Sequence, residues 1–237
     1  MRPLLPKLAA LVPLLGEIDA NRVYSNLGPL ATRFQARLEQ HWGLSDGTVL
    51  ALSNATSGLS VALMTATDGR RGGLCMMPAW TFVASGHAAL ASGLTPFLVD
   101  VEQETGSLTP ALAEAALAQA PDGIAAIMPV CPFGAPIDWA GWEAFRARTG
   151  IPVVIDAAAA FDSVRPSALP AVVSLHATKV LGIGEGAVLV CTDTALVEES
   201  CRRANFGFLG ERVSRMPAVN AKMSEYHAAI ALAALTA

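Results

Sequence analysis

Lysine is nearly absent from this chain: among 237 residues there are three, Lys7, Lys179 and Lys222. Charged residues together reach only 15%, and the net charge of −4 includes no basic cluster. That excludes the electrostatic footprint of a nucleic-acid binder and offers no polybasic patch to a membrane surface. Cysteine is sparse and scattered: Cys75, Cys131, Cys191 and Cys201 stand in no metal-ligand or CxxC spacing. We read them as reduced, mostly buried thiols and expect no metal site. No apolar run reaches the ~20 residues of a membrane-spanning helix. The opening "MRPLLPKLAALVPLLGEI" is broken by Pro13, followed by acidic residues and lacks a small-x-small cleavage site. We read no export signal in it and expect a cytoplasmic protein. Both the GxGxxG fingerprint and the Walker lysine motif are missing, so a nucleotide-binding module that uses "NATSG" for a different phosphate is the weaker reading.

What the chain has in quantity is apolar residues, 53% of the total. With so little charge to spread over its outside, some apolar surface is expected to meet another subunit. From about residue 47, β-rich runs alternate with helical stretches. The strand candidates are 48–53, 73–78, 95–101, 124–130, 152–156, 171–176 and 187–192, most of them continuous apolar runs, as in strands covered on both faces. Segments 57–68, 82–92, 110–120 and 138–149 are long enough to be crossover helices. The rhythm predicts a three-layer α/β/α fold with a mostly parallel sheet. Only a short loop separates the last two strand candidates, too little for a crossover, so one strand should return antiparallel. Residues 1–46 read as a partly helical arm packed on the domain formed by 47–237, and "SEYHAAIALAALTA" as a closing helix.

In open α/β sheets ligands sit outside the carboxyl ends of the strands, and four polar groups fall there. In "SNATSGLS", Thr56 and Ser57 open a helix whose free N–H groups suit a phosphate, although taken alone the stretch is more simply an ordinary N-cap. In "PAWTFVASG", Trp80 or Phe82 could stack on a flat ring, or merely pack in the core. Asp156 ends the apolar strand "PVVID", where a carboxylate needs a partner or a cap to satisfy. Lys179 lies between an apolar strand and the glycine loop "GIGEG", with Ser174 five residues before it. Burial there would favour the neutral, nucleophilic amine. A phosphate cradle, an aromatic plate, a carboxylate and an amine are together the requirements of pyridoxal phosphate, whose ring acts as an electron sink.

The stretches "SNATSGLSVAL", "PAWTFVAS", "TPFLVDVEQETGSL", "MPVCPFGAPID", "VVIDAAAAFDS", "SLHATKVLGIGEGAVLV" and "NAKMSEYHAAIAL" resemble, in order and spacing, the DegT/DnrJ/EryC1/StrS family of pyridoxal-phosphate-dependent sugar aminotransferases. The resemblance implies the aspartate-aminotransferase (type I) fold. It implies Lys179 as the Schiff-base lysine and proton carrier, Asp156 on the pyridinium nitrogen, and Phe82 rather than Trp80 on the ring. It implies Thr56, Ser57 and Ser174 as phosphate contacts, and Asn220 as a contact to the cofactor phosphate of a partner subunit in a homodimer. The implied reaction moves an amino group from an amino acid, glutamate in most of the family, to a nucleotide-linked keto-sugar. A lysine at 179 argues against the family's dehydratase branch, which has a histidine there. His176 reads either as catalytic or as a satisfied strand-end histidine. Ala159 departs from the Gln or His common in the family. The family's small C-terminal domain is expected to be absent from this chain, which makes a noncatalytic dimerising or regulatory relative the alternative reading.

Overall fold

The computed structural model describes residues 3–120, 123–208 and 210–236. Among the described residues seven strands appear where apolar runs were expected: β1 (Val49–Leu52), β2 (Leu74–Pro78), β3 (Thr95–Val99), β4 (Ile124–Ile127), β5 (Ile155–Asp156), β6 (Ala171–Ser174) and β7 (Ala187–Val190). They pair as β1-β7-β6-β5 and β3-β2-β4. Isolated parallel bridges Ile127↔Val153 and Val130↔Asp156 join β4 to the β5 segment, so the two sheets form one continuous array. β7 runs antiparallel to both neighbours, and the remaining pairings are parallel. The carboxyl ends of the other six strands therefore share one edge of the sheet.

Alternation along each strand divides the core into two layers. Val49, Ala51, Met76, Ile127, Ile155, Val173 and Val188 face one cluster, which includes Ile18, Phe34, Trp142, Phe145 and Leu232. Leu50, Leu52, Met77, Met128, Val154, Val172 and Leu189 face the other, with Leu59, Leu63, Ala88 and Val197. Helices α1 (Leu8–Asn21), α2 (Pro29–Trp42), α5 (Pro110–Leu117), α6 (Trp139–Thr149) and α8 (Glu225–Ala234) supply the first face. Helices α3 (Ala55–Ala66), α4 (Val83–Ala91) and α7 (Thr194–Ala204) supply the second. Helix α7 lies in a stretch where the sequence reading assigned no element. Its signals are conventional: Asp193 caps Ala195 and Leu196, and Glu198 pairs with Arg202 at 2.6 Å, one turn on.

Residues before β1 contribute to the core: Ile18, Leu30, Phe34 and Leu38 are fully buried. Their anchor is Glu225, 1% exposed, which accepts hydrogen bonds from Leu30 N–H (2.7 Å) and Ala31 N–H (2.9 Å). The first turn of α2 is thereby capped by a carboxylate from α8, with Pro29 at its start. A Cβ on Gly28 would lie 2.7 Å from that carboxyl carbon, so the "GP" step must be glycine first. Glu225→Ala leaves two buried donors unpaired and is expected to cost about 3 kcal/mol, read as a lower urea midpoint at unchanged slope. Among the described residues no helix is long and apolar enough to cross a membrane.

Candidate active site

A cavity of about 410 Å³ opens at the shared edge of the sheet, within the size range of small-molecule sites. Asp156, Ala158 and Ala159 line it from the end of β5, Val130, Cys131, Pro132 and Phe133 from the turn after β4, and Trp80, Thr81 and Phe82 from the turn after β2. Lys179 completes the wall from the loop after β6. Three of the expected site residues, Phe82, Asp156 and Lys179, thus converge from three separate strands.

Asp156 is 4% exposed. Its Oδ2 accepts from Ser85 Oγ at 2.7 Å and its Oδ1 from Ala158 N–H at 3.1 Å. Burial pushes its pKa above the ordinary aspartate value; the Ser85 and Ala158 hydrogen bonds and the charge of Lys179 offset this in part. A desolvated carboxylate of this kind favours a cationic partner in the cavity. Lys179 is half-buried, and its amine enters no ion pair among the described residues. Burial, then the charge of Asp156, pushes the Cys131 thiol up to about 12, so it stays protonated and inert beside the carboxylate.

The aromatic rim is unusually open. Phe82 is 78% exposed, Trp80 57% and Phe133 88%, and the Trp80 and Phe133 rings lie 6.4 Å apart. Phe133 adopts a left-handed backbone (φ 53°) and Gly134 follows at φ 88°, where a Cβ would collide with the Ala159 carbonyl oxygen. That close approach of the two turns lets Ala159 reach the cavity wall. The sequence reading passed over Phe133, Cys131, Thr81 and Ser85; "CPFG" after an apolar run was the available signal for the first two.

The expected phosphate contacts lie at the same sheet edge but outside the cavity lining. Asn54 caps α3 by accepting from Ser57 N–H at 2.9 Å. A Cβ on Gly58 would meet Val172 at 2.9 Å, and this tight packing seats the start of α3, with Thr56 and Ser57, against β6, which ends at Ser174. Ser174 Oγ accepts from His176 N–H at 3.2 Å. Asn220 lies beyond the end of β1: Ser53 N–H donates to the Ala221 carbonyl at 2.7 Å and Leu52 bridges Lys222. Asn220 is exposed, and its Oδ1 accepts from Lys222 Nζ at 2.8 Å. His176 is tied to its own loop, with Nδ1 2.9 Å from Thr178 Oγ1 and Nε2 3.9 Å from Glu185.

The strand order, with helices on both faces of the sheet and a buried carboxylate and an amine at its carboxyl edge, is that of the PLP-dependent aminotransferase fold. A solved structure from Bacillus cereus ATCC 10987, named as a candidate PLP-dependent aminotransferase, superposes over all of this chain with a TM-score of 0.91 at 29% identity. The structure of DesI with its TDP-sugar product superposes over 99% of it, with a TM-score of 0.87 at 32% identity. The profile of the DegT/DnrJ/EryC1/StrS aminotransferase family matches residues 11–237, and the chain belongs to that family. Among curated relatives it is 34% identical to protein Rv3402c of Mycobacterium tuberculosis and 32% identical to the dTDP-4-amino-4,6-dideoxy-D-glucose transaminase of Shigella dysenteriae, each over 98% of its length. It spans 58% and 62% of those two proteins, and 66% and 59% of the two structures.

Proposed function

We propose that this chain binds pyridoxal 5′-phosphate and transfers an amino group from an amino acid, glutamate, to a nucleotide-linked keto-sugar. The observation that carries the reading is the convergence of Asp156 and Lys179, from different strands, on one cavity with Phe82 at its rim. The donor set fits the cofactor: the buried carboxylate suits a protonated ring nitrogen, and the cavity contains one amine.

When bound, the cofactor supplies an electron sink for the bond-breaking step at the substrate carbon. The chain's own residues supply the rest. Asp156 would hold a proton on the ring nitrogen. Lys179, the amine of the cavity wall, would hold the cofactor covalently and would be placed to carry a proton at the substrate carbon. Phe82 would hold the ring, and Thr56, Ser57 and Ser174 would hold the phosphate. The exposed aromatic rim favours a homodimer in which Asn220 of each copy contacts the phosphate bound by the other. The relatives named for TDP-sugar and dTDP-sugar chemistry support a nucleotide sugar as amino acceptor.

A single-turnover experiment tests this. Glutamate added to the cofactor-loaded protein should convert the visible band of lysine-bound cofactor to the near-ultraviolet band of its aminated form, with one 2-oxoglutarate per site. A visible band that glutamate and a panel of other amino acids leave unchanged contradicts the proposal.

A further inference from the structure

The "PAWTFVASG" turn contains two hydroxyls that the reading above does not use. Ser85, in the first turn of α4, is fully buried, yet its Oγ points at Asp156 Oδ2 from 2.7 Å. On its other side Ser85 Oγ lies 2.6 Å from Thr81 Oγ1, and Thr81 lines the cavity. We infer that Thr81 and Ser85 form a hydroxyl relay that positions the Asp156 carboxylate and keeps it ionised for a cationic ligand. The inference rests on the reading of Asp156 as the carboxylate that meets the cofactor's ring nitrogen.

The direction of the relay follows from counting protons. Ser85 has one, and an ionised Asp156 takes it, so Thr81 must donate to Ser85. The other acceptor within reach of Thr81, the Phe82 carbonyl, is 3.4 Å away, a poorer bond. With Asp156 protonated the same chain can reverse, ending on that carbonyl. Ser85 and Ala158 N–H each occupy one carboxylate oxygen from the protein side, and each oxygen keeps acceptor capacity toward the cavity. Charge-assisted bonds of this kind are the stronger class, and a desolvated carboxylate depends on them more than an exposed one. The other titratable groups facing Asp156 are Cys131, from the turn after β4, and Lys179, from the loop after β6. Because Cys131 stays protonated, the relay is the main neutral support of the charge.

The test separates positioning from packing. In the cofactor-free protein, the Asp156 carboxyl is titrated by ¹³C NMR, assigned by its loss in Asp156→Asn. Ser85→Ala is expected to raise the midpoint by about one to two pH units and to weaken pyridoxal phosphate binding by about tenfold to a hundredfold. Thr81→Val, at a half-buried position that leaves the core intact, should move both readouts the same way by less. Ser85→Thr should restore them. In an Asp156→Asn background, Ser85→Ala should add no loss of affinity beyond about twofold. An unmoved carboxyl midpoint in Ser85→Ala and Thr81→Val overturns the relay, as does an equal loss of affinity in the Asn background. Failure of the wild-type protein to bind the cofactor would instead overturn the reading of the site, while the carboxyl titration would still decide the relay.

Discussion

Lys179→Ala is expected to abolish the visible absorption band of the protein with pyridoxal phosphate and to lower steady-state amination by about 10²–10⁴-fold or more. That range of about 10²–10⁴ is what loss of one positioned proton-transfer group produces; here the covalent link to the cofactor goes as well. Lys179 is half-buried and enters no ion pair among the described residues, so its removal costs the fold little. Far-ultraviolet circular dichroism and the thermal midpoint of the cofactor-free variant should match the wild type. A variant that keeps the band would remove Lys179 from the chemistry.

Asp156→Asn should act in opposite directions on function and stability. Loss of the charge facing the ring nitrogen is expected to slow turnover by about 10²–10³-fold, the scale of a single preorganised electrostatic contact. The cofactor-free protein, by contrast, should become more stable at neutral pH. The folded-state pKa of Asp156 is raised by burial, so the folded chain binds this proton more tightly than the unfolded one. Its contribution is fully favourable below the unfolded value and is lost as pH rises through the folded one. The asparagine has no such loss, so its advantage should widen as pH climbs out of the ordinary aspartate range. Each ~1 kcal/mol relieved should appear as about 2–4 °C in Tm. The amide can still accept from Ala158 N–H and donate to Ser85 Oγ, so the local hydrogen bonds survive. Saturating cofactor should reverse the order of the two midpoints.

These two residues stand out in the sequence because their cost is visible there. A carboxylate closing "PVVID" and an amine in a chain with three lysines each require an explanation that packing does not give. The strands were visible for a related reason. Covered on both faces, they read as unbroken apolar runs, and the short "GIGEG" loop left β7 no route but an antiparallel one. Ser85 was not visible, because a serine among alanines in a helix looks ordinary until a strand far along the chain brings a carboxylate to it. Phe133 was missed because its left-handed backbone and its exposure are products of the turn against Ala159. Helix α7 had its cap and its ion pair in plain view but was amphipathic and charged, unlike the alanine-rich crossovers that set the expected pattern. The hydroxyls at Ser57 and Ser174 lie where the pattern suggested, yet their neighbourhoods also serve backbone capping, a dual use that composition alone does not separate.

The scarcity of lysine makes the central claim directly measurable. The protein is loaded with pyridoxal phosphate, reduced with borohydride to fix the lysine link, digested and analysed by mass spectrometry. One phosphopyridoxyl group per chain is expected, on the peptide containing Lys179, with Lys7 and Lys222 unmodified. A stoichiometric adduct on Lys7 or Lys222, or no adduct at all, would contradict that claim.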